Sequence, residues 1–498
     1  MILMASSWQR AATAVAPSLR GGAASPYLVV IVMDGFRPDY ATLAPMHHLH
    51  ELMARGMTYD TAWVGQMESE TPTGHATIAT GVYPRKHGVV GFGWRDAATG
   101  AFTYMPTDLR LIRAGNLTHL MEQDGVPTIS DLIHTAHRQD ITISMSGEKY
   151  YAAATMGAGA DYVLYGKDIK NVFRPVVISP NVPPASSHYL SVKGDSALDM
   201  QDRFVASLAV QMARTMRPRA LFVNLPSTDI AGHYYGGMRA PKDMTPIIKG
   251  ADWAIGQVLN EYKRLGLLNR TVFVVTADHG MASNRHIVPI QSIYAAVREA
   301  NGLALDEEFR ITAGSIWLRE PPRGPALASV LAAKRFPGVE GALYKNASGS
   351  FSAEPSTAAK LPHALLQAYL DLANTEAGPT GPEVLLPYGE DTTGLTVQGK
   401  KLWGSHGGFS WGVQGIPLVM AGPGIRHGLS HFPAKLVDVA PTIEHLLDLP
   451  VPAGVDGVVL SDALTHATAA ELTAQKAVDS PRLADVRALQ AHSTAQSK

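Results

Sequence analysis

Cysteine is absent from this 498-residue chain. That excludes disulfides, thiolate nucleophiles, iron–sulfur clusters and Cys-type zinc sites. A metal here must be held by His, Asp, Glu or hydroxyl ligands. The absence suits the cytosol and the periplasm equally, so localisation stays open. Charge is sparse too. Charged residues make up 17% of the chain, below the roughly 25% of an average soluble protein. Hydrophobic residues make up 46%, which is the composition of a folded chain and not of a disordered one. With 42 basic and 43 acidic residues the net charge is −1. That argues against a stable nucleic-acid complex built on bulk positive charge. No apolar run approaches the roughly 20 residues of a membrane span.

What is present is a series of short apolar runs. YLVVIVMDG, from Tyr27 to Gly35, is a continuous Val/Ile-rich run ended by Asp and Gly. This is the pattern of a parallel strand buried on both faces. Similar runs recur at Ala220–Leu225, Thr271–Thr276 and Ile416–Ala421, with helical patterns between them such as MHHLHELMARG and ALDMQDRFVASLAVQMARTM. The alternation predicts an α/β fold: a doubly wound, mostly parallel central sheet between helices. Ligands of such sheets bind beyond the carboxyl ends of the strands. The expected organisation has residues 26–295 and 400–462 as the α/β core and 296–399 as a small inserted α+β subdomain. An Ala-rich tail covers 463–498, as a surface helix or a partly disordered segment. Residues 1–25 read as disordered, or as a leader or tag, because the apolar AATAVA stretch after Arg10 is short for a secretory signal.

The polar residues at the ends of these runs are of one kind. The first run ends in Asp34. ALFVNL leads into PSTDIAGHYYG, with Asp229 and His233. TVFVVT leads into ADHGM, with Asp278 and His279, and GSHGGFSWG, with His406, comes just before IPLVMA. Three Asp and three His therefore gather at one edge of the predicted sheet. Carboxylate and imidazole donors without thiolates suit zinc in an open site, with manganese or iron as substitutes. Taken singly, Asp34 and Asp229 read as helix N-caps and His406 as a hydrogen-bonded surface His. Such separate roles leave the joint placement of all six unexplained.

A nucleophile candidate lies in ESETPTGHATIATGVYPRKHGVVG, where Thr71 and Thr73 flank Pro72 and a helix is expected to begin near Gly74. A hydroxyl there faces free backbone N–H groups and the positive end of the helix dipole, a natural anion site. Ordinary Thr capping is the competing reading. A Thr hydroxyl is a poor nucleophile at neutral pH unless a bound metal favours its alkoxide.

The ordered set MDG, TPTGH, TGVYPRKHG, STDIAGH, ADHGM and SHGG resembles the alkaline phosphatase superfamily, and within it the nucleotide pyrophosphatase/phosphodiesterase (type I phosphodiesterase) branch. The resemblance runs from about Tyr27 to Leu460. It implies a central mixed sheet between helices and two metal ions, usually zinc. Carried over by position, Asp34, Thr71, Asp278 and His279 hold the first ion, and Asp229, His233 and His406 the second. Thr71 is preferred to Thr73 because the family nucleophile lies four residues before the motif His, here His75. The implied reaction is a double displacement through a phosphothreonine.

Two departures bear on substrate. Many relatives carry an Asn where HGVVGF has Phe92. Lys149, in SGEKYYAAATMG, resembles the segment where some monoesterase relatives carry Lys-x-Arg, but Tyr151 stands at the Arg position. Lys149 and Phe92 are the candidate substrate-binding residues. A surface role for Lys149 is an equal alternative. Phe92, Trp94, Tyr150 and Tyr151 line a pocket or belong to the core. Without the Arg, a monoester dianion loses a bidentate partner, which favours a diester.

The chain has no GxSxG elbow and no HExxH motif. It also lacks the C/S-x-P-x-R motif of the sulfatase relatives. The leading expectation is a two-zinc phosphodiesterase or nucleotide pyrophosphatase acting on a small phosphate ester or nucleotide. The alternatives are a phosphomonoesterase or phosphonate hydrolase with the same machinery, and a catalytically silent metal-binding interaction protein.

Overall fold

A computed structural model describes residues 25–96, 99–170, 172–181, 183, 197–301, 309–312, 314–318, 323–393, 396–397 and 400–496. The leader-like or tag-like reading of the N-terminus lies outside the described residues, apart from Ser25.

A nine-stranded mixed sheet forms the centre, flanked by helices. Its order is Gly428–Ser430, Gly56–Tyr59, Leu418–Ala421, Thr271–Thr276, Tyr27–Met33, Ala220–Leu225, Thr142–Ser146, Tyr162–Asp168 and Phe173–Val177. The run at Tyr27–Met33 is parallel to both neighbours, so both of its faces are covered and its side chains from Leu28 to Met33 are buried. That is why it carries no polar alternation. Helices Ala197–Met216 and Pro241–Arg264 pack against one another and against the sheet. Among the described residues no helix is long and apolar enough to cross a membrane.

Register decides what emerges at the sheet edge. Met33 pairs with Leu225, and Val32 with Thr276. Three strands therefore stop level with one another, and the next residues of each chain segment begin the site.

The fourth apolar run departs from its reading as one more parallel strand. Leu418–Ala421 pairs antiparallel with Thr271–Thr276, with Leu418 opposite Thr276. Its amino end thus lies at the edge where its neighbours have their carboxyl ends. This explains why its polar partner, His406, precedes the strand. The run is too short and too uniformly apolar for composition to show its direction.

Between Thr276 and Leu418 lies a five-stranded antiparallel sheet, in the order Phe309–Thr312, Ser315–Leu318, Val384–Leu385, Leu343–Lys345 and Phe351–Ala353. The C-terminal segment forms one helix, Ala469–Gln496. Arg482 makes two bonds to Asp438, from Nη1 to Oδ2 at 2.6 Å and from Nη2 to Oδ1 at 3.1 Å. Val486 and Leu489 join an apolar cluster with Trp63, Tyr369 and Phe409. Of the two forms expected for the tail, it takes the helix, with one face packed on the body and most other residues exposed or half-buried.

Glu444, on helix Val439–Leu446, is buried, and neither carboxylate oxygen has a hydrogen-bond partner. Burial pushes its carboxyl up to about 8. An unfolded Glu titrates near roughly 4.3, so between these values the folded chain holds a proton that the unfolded chain releases. The contribution of this group to stability falls as pH rises through that window. Glu444→Gln removes the term, so the stability of the variant relative to wild type is expected to rise from pH 5 to pH 8 by up to about 4 kcal/mol. Urea denaturation at both pH values measures it; parallel pH profiles for the two proteins would refute it.

Candidate active site

Two glycines allow the strand ends to close on one another. Gly35, at φ +67°, follows Asp34, and a Cβ there would lie 2.8 Å from Cβ of Asp229. A Cβ on Gly74 would lie 2.5 Å from the Asp278 carbonyl oxygen and 2.9 Å from its Cβ. The first close approach seats the Asp34 turn on Asp229. The second seats the first turn of helix Thr71–Thr80 on Asp278.

That helix begins at Thr71, three residues before the expected start near Gly74. Pro72 does not delay it, because N–H groups of the first turn have no intrahelical partner and Pro loses nothing there. Thr71 is fully buried at the helix N-terminus. Asp229 and His233 lie one turn apart on helix Ser227–Tyr235 and both reach the centre, as the D-x-x-x-H spacing requires. Asp278 and His279 occupy irregular backbone between strands Thr271–Thr276 and Ala282–Ser283.

The seven residues converge. Donor atoms of Asp34, Asp278 and His279 lie within 4.8 Å of one another, and so do those of Asp229, His279 and His406. His279 Nε2 belongs to both groups, at 3.4 Å from Asp278 Oδ2, 3.7 Å from Asp34 Oδ1 and 4.0 Å from Asp229 Oδ1. Thr71 Oγ1 is 3.2 Å from the same nitrogen. His233 Nε2 and His406 Nε2 each lie 3.4 Å from Asp229 Oδ1 and 3.1 Å from each other.

Each imidazole is oriented by a main-chain carbonyl. Nδ1 donates to Gly404 O from His233 (2.8 Å), to Gly280 O from His279 (2.8 Å) and to Ser69 O from His406 (3.2 Å). A proton held on Nδ1 leaves the Nε2 lone pair facing inward, the state a metal ligand needs. Asp229 Oδ1 and Asp278 Oδ2 are buried without a hydrogen-bond partner. Facing lone pairs and unsatisfied carboxylate oxygens cost free energy unless a cation lies among them. The residues present fit divalent metal.

Lys149 is not at the surface. Its ammonium donates to Asp34 Oδ1 (2.6 Å), Asp229 Oδ2 (2.5 Å) and Thr71 Oγ1 (3.3 Å). Burial opposes its charge, but Asp229 and Asp34 hold it well above the ordinary lysine range. Burial and the neighbouring Asp278 push the Asp34 carboxyl up to about 6. Burial and His279 push His406 well below the usual imidazole range, which keeps it neutral and able to ligate.

The half-buried ring of Phe92 meets Tyr151 edge-on at 5.2 Å, and the Phe92 N–H donates to Glu70 Oε2 at 3.1 Å. Tyr151 meets Tyr150 in the same manner at 5.5 Å. Trp94 is core, buried in a cluster with Leu117 and Met121.

One contributor lies outside the sequence expectation. Asn224 interrupts the otherwise apolar run ALFVNL, and its amide donates to Asp34 Oδ2 (3.0 Å) and Ser146 Oγ (2.9 Å). Its carbonyl then faces His75 Nε2 at 3.0 Å, while His75 Nδ1 donates to Thr71 O at 2.8 Å and lies 3.4 Å from Asp278 Oδ2. Burial lowers the His75 pKa, but the neighbouring carboxylates of Asp278 and Asp34 together with the Thr71 carbonyl outweigh that and raise it. His75 thus ties the main chain of Thr71 to the strand ends. A buried Asn inside a strand was the available signal for this network.

Residues 28–333 match the family model described as type I phosphodiesterase / nucleotide pyrophosphatase. A bis(5'-adenosyl)-triphosphatase of Xenopus laevis is 24% identical over 271 residues, covering 53% of this chain and 50% of that protein. An ectonucleotide pyrophosphatase/phosphodiesterase of Saccharomyces cerevisiae is 23% identical over 269 residues, covering 52% of this chain and 34% of that protein. The chain spans half or less of the length of these two relatives. Among solved structures, wild-type alkaline phosphatase PafA superposes with a TM-score of 0.67 at 16% identity, over 89% of this chain and all of that one. Inactive murine ectonucleotide pyrophosphatase / phosphodiesterase 5 in complex with AMP superposes with a TM-score of 0.60 at 17% identity, over 88% of this chain and all of that one. At these identities the likeness is one of fold.

Proposed function

The chain belongs to the type I phosphodiesterase / nucleotide pyrophosphatase family of the alkaline phosphatase superfamily, and from that premise we propose that it is a two-zinc phosphodiesterase or nucleotide pyrophosphatase working through a phosphothreonine at Thr71. The observation that carries this reading is the Thr71 hydroxyl at a helix N-terminus, 3.2 Å from His279 Nε2, beside two buried carboxylate oxygens without hydrogen-bond partners. Asp34, Thr71, Asp278 and His279 would hold one ion, and Asp229, His233 and His406 the other. Bound there, the ions would supply Lewis acidity, favouring the Thr71 alkoxide and neutralising charge on phosphate and leaving-group oxygens.

The chain's own groups do the rest. Thr71 Oγ bonds to phosphorus as the bond to the leaving oxygen breaks. Water then displaces Thr71 from the same phosphorus, releasing phosphate or its monoester and restoring the hydroxyl. Lys149, whose ammonium is 3.3 Å from Thr71 Oγ1, donates to a non-bridging oxygen. The first-turn N–H groups of helix Thr71–Thr80 favour the same negative charge. His75 anchors the Thr71 main chain, so the nucleophile is aimed before substrate arrives.

Phe92 and Tyr151 bring no amide and no guanidinium to the phosphate, and this supports a diester, which carries one charge fewer than a monoester. The zinc-loaded protein is expected to hydrolyse bis-p-nitrophenyl phosphate at least about tenfold more efficiently than p-nitrophenyl phosphate, the value of one missing charge-assisted bond to the dianion. A large preference for the monoester would reverse the choice to a phosphomonoesterase. No hydrolysis of either, with zinc bound, would favour a silent metal-binding protein.

A further inference from the structure

The centre is unevenly enclosed. The side chains of Asp229 and His406 are 2% and 6% exposed, whereas that of His233 is 24% exposed. The site therefore opens on the His233 side, the side at which the departing half of an ester would leave.

Beyond His233 the surface is aromatic and cationic. Helix Ser227–Tyr235 ends at Gly236, at φ +90°. Trp403 folds over that end: its N–H donates to the His233 carbonyl at 2.9 Å. A Cβ on Gly236 would lie 2.8 Å from the Trp403 carbonyl oxygen and 3.3 Å from its Cβ. Only a glycine admits this approach. Trp403 nevertheless remains 44% exposed. The guanidinium of Arg239 lies over its indole, with Cζ 5.0 Å from the ring centroid. Arg239 is exposed, and no ion pair holds it among the described residues. Tyr234, next to His233, is 68% exposed.

A guanidinium stacked on an indole keeps its N–H edge available to an oxyanion. We propose that Trp403 and Arg239 form a leaving-group subsite that selects esters whose departing half carries a flat ring and a further negative charge. Trp403 offers the stacking face. Arg239 offers a charge-assisted bond to the distal anion. Trp403 is tied to the centre through the main chain, because its backbone N–H is bonded to the His233 carbonyl and it lies three residues before His406 in the sequence.

This subsite rests on the hydrolase reading of the Thr71 centre, and the test separates the two. Diadenosine triphosphate has ADP as its leaving group, with a ring and extra charge. The p-nitrophenyl ester of thymidine 5'-monophosphate keeps its nucleotide on the attacked phosphorus and releases p-nitrophenolate, a ring without a distal anion. In the zinc-loaded full chain, Arg239→Ala is expected to lower kcat/KM for diadenosine triphosphate relative to the thymidine ester about tenfold, through KM. Trp403→Ala removes a stacking face that both departing rings can use, so it is expected to raise KM for both substrates. An equal effect of Arg239→Ala on the two substrates, or no effect of Trp403→Ala on either, would overturn the subsite. If wild type cleaves neither substrate, the hydrolase reading falls by itself. Calorimetric titration with ADP then decides the subsite: weakening of about tenfold in Arg239→Ala supports it, and unchanged affinity overturns it.

Discussion

Thr71→Ala is expected to lose phosphoester hydrolysis by about 10³-fold or more, with no loss of fold. The side chain is buried, but its methyl packs in a helix that begins at this residue and is held by Gly74 against Asp278 and by His75 against Asn224. Alanine keeps that helix. What it removes is the hydroxyl that lies 3.2 Å from His279 Nε2 and 3.3 Å from the Lys149 ammonium. Thr71→Ser, which keeps the hydroxyl, is expected to retain most of the activity. Acid quench during turnover of a diester, followed by peptide mass spectrometry, should find the retained half of the ester joined through its phosphorus to residue 71 in wild type. Hydrolysis by Thr71→Ala at the wild-type rate would place the nucleophile elsewhere.

His406→Ala is expected to release one of two bound zinc ions and to reduce hydrolysis by about 10²-fold or more. Asp229 Oδ1 receives no hydrogen bond and lies equally close to His233 and His406. Removing one imidazole leaves a carboxylate and a half-exposed His, too few donors for a tight tetrahedral site. Asp34, Asp278 and His279 keep their ligand atoms in the variant, although the His279 ring loses the His406 ring stacked on it with centroids 3.7 Å apart. Metal content after gel filtration is the readout. Two ions per chain in the variant would count against this ligand set.

Much of this was legible in the sequence. Tyr27–Met33, Ala220–Leu225 and Thr271–Thr276 are uniform apolar runs, and strands buried on both faces need no other signal. Level strand ends then follow from parallel pairing, so Asp34 and Asp278 were readable as neighbours from their positions just past two runs. His406 was legible by proximity to IPLVMA, but the antiparallel sense of that strand was not, because direction depends on connections made through the second sheet. The role of Asn224 was hidden because hydrogen bonding to Asp34 and His75 joins residues far apart in sequence. The carbonyl partners of the three imidazoles were hidden for a different reason. Main-chain oxygens carry no residue identity, so Gly404, Gly280 and Ser69 leave no compositional trace. Lys149 and Trp94 were ambiguous by composition, and only burial separates a Lys inside an acidic centre from one at the surface.

Those three carbonyl bonds also bear on how the centre exchanges its ions. Because the proton is held on Nδ1 by groups of the main chain, each ring keeps its pose whether or not its Nε2 is engaged. The ordering entropy of three imidazoles is spent when the chain folds and is not charged again at each binding event. Chelation should therefore be reversible without refolding, and readdition of metal should restore the same frame. Imidazole, carboxylate and hydroxyl donors accept zinc, manganese and iron with affinities that rise toward zinc, so the ion taken up on readdition is expected to depend on which is supplied.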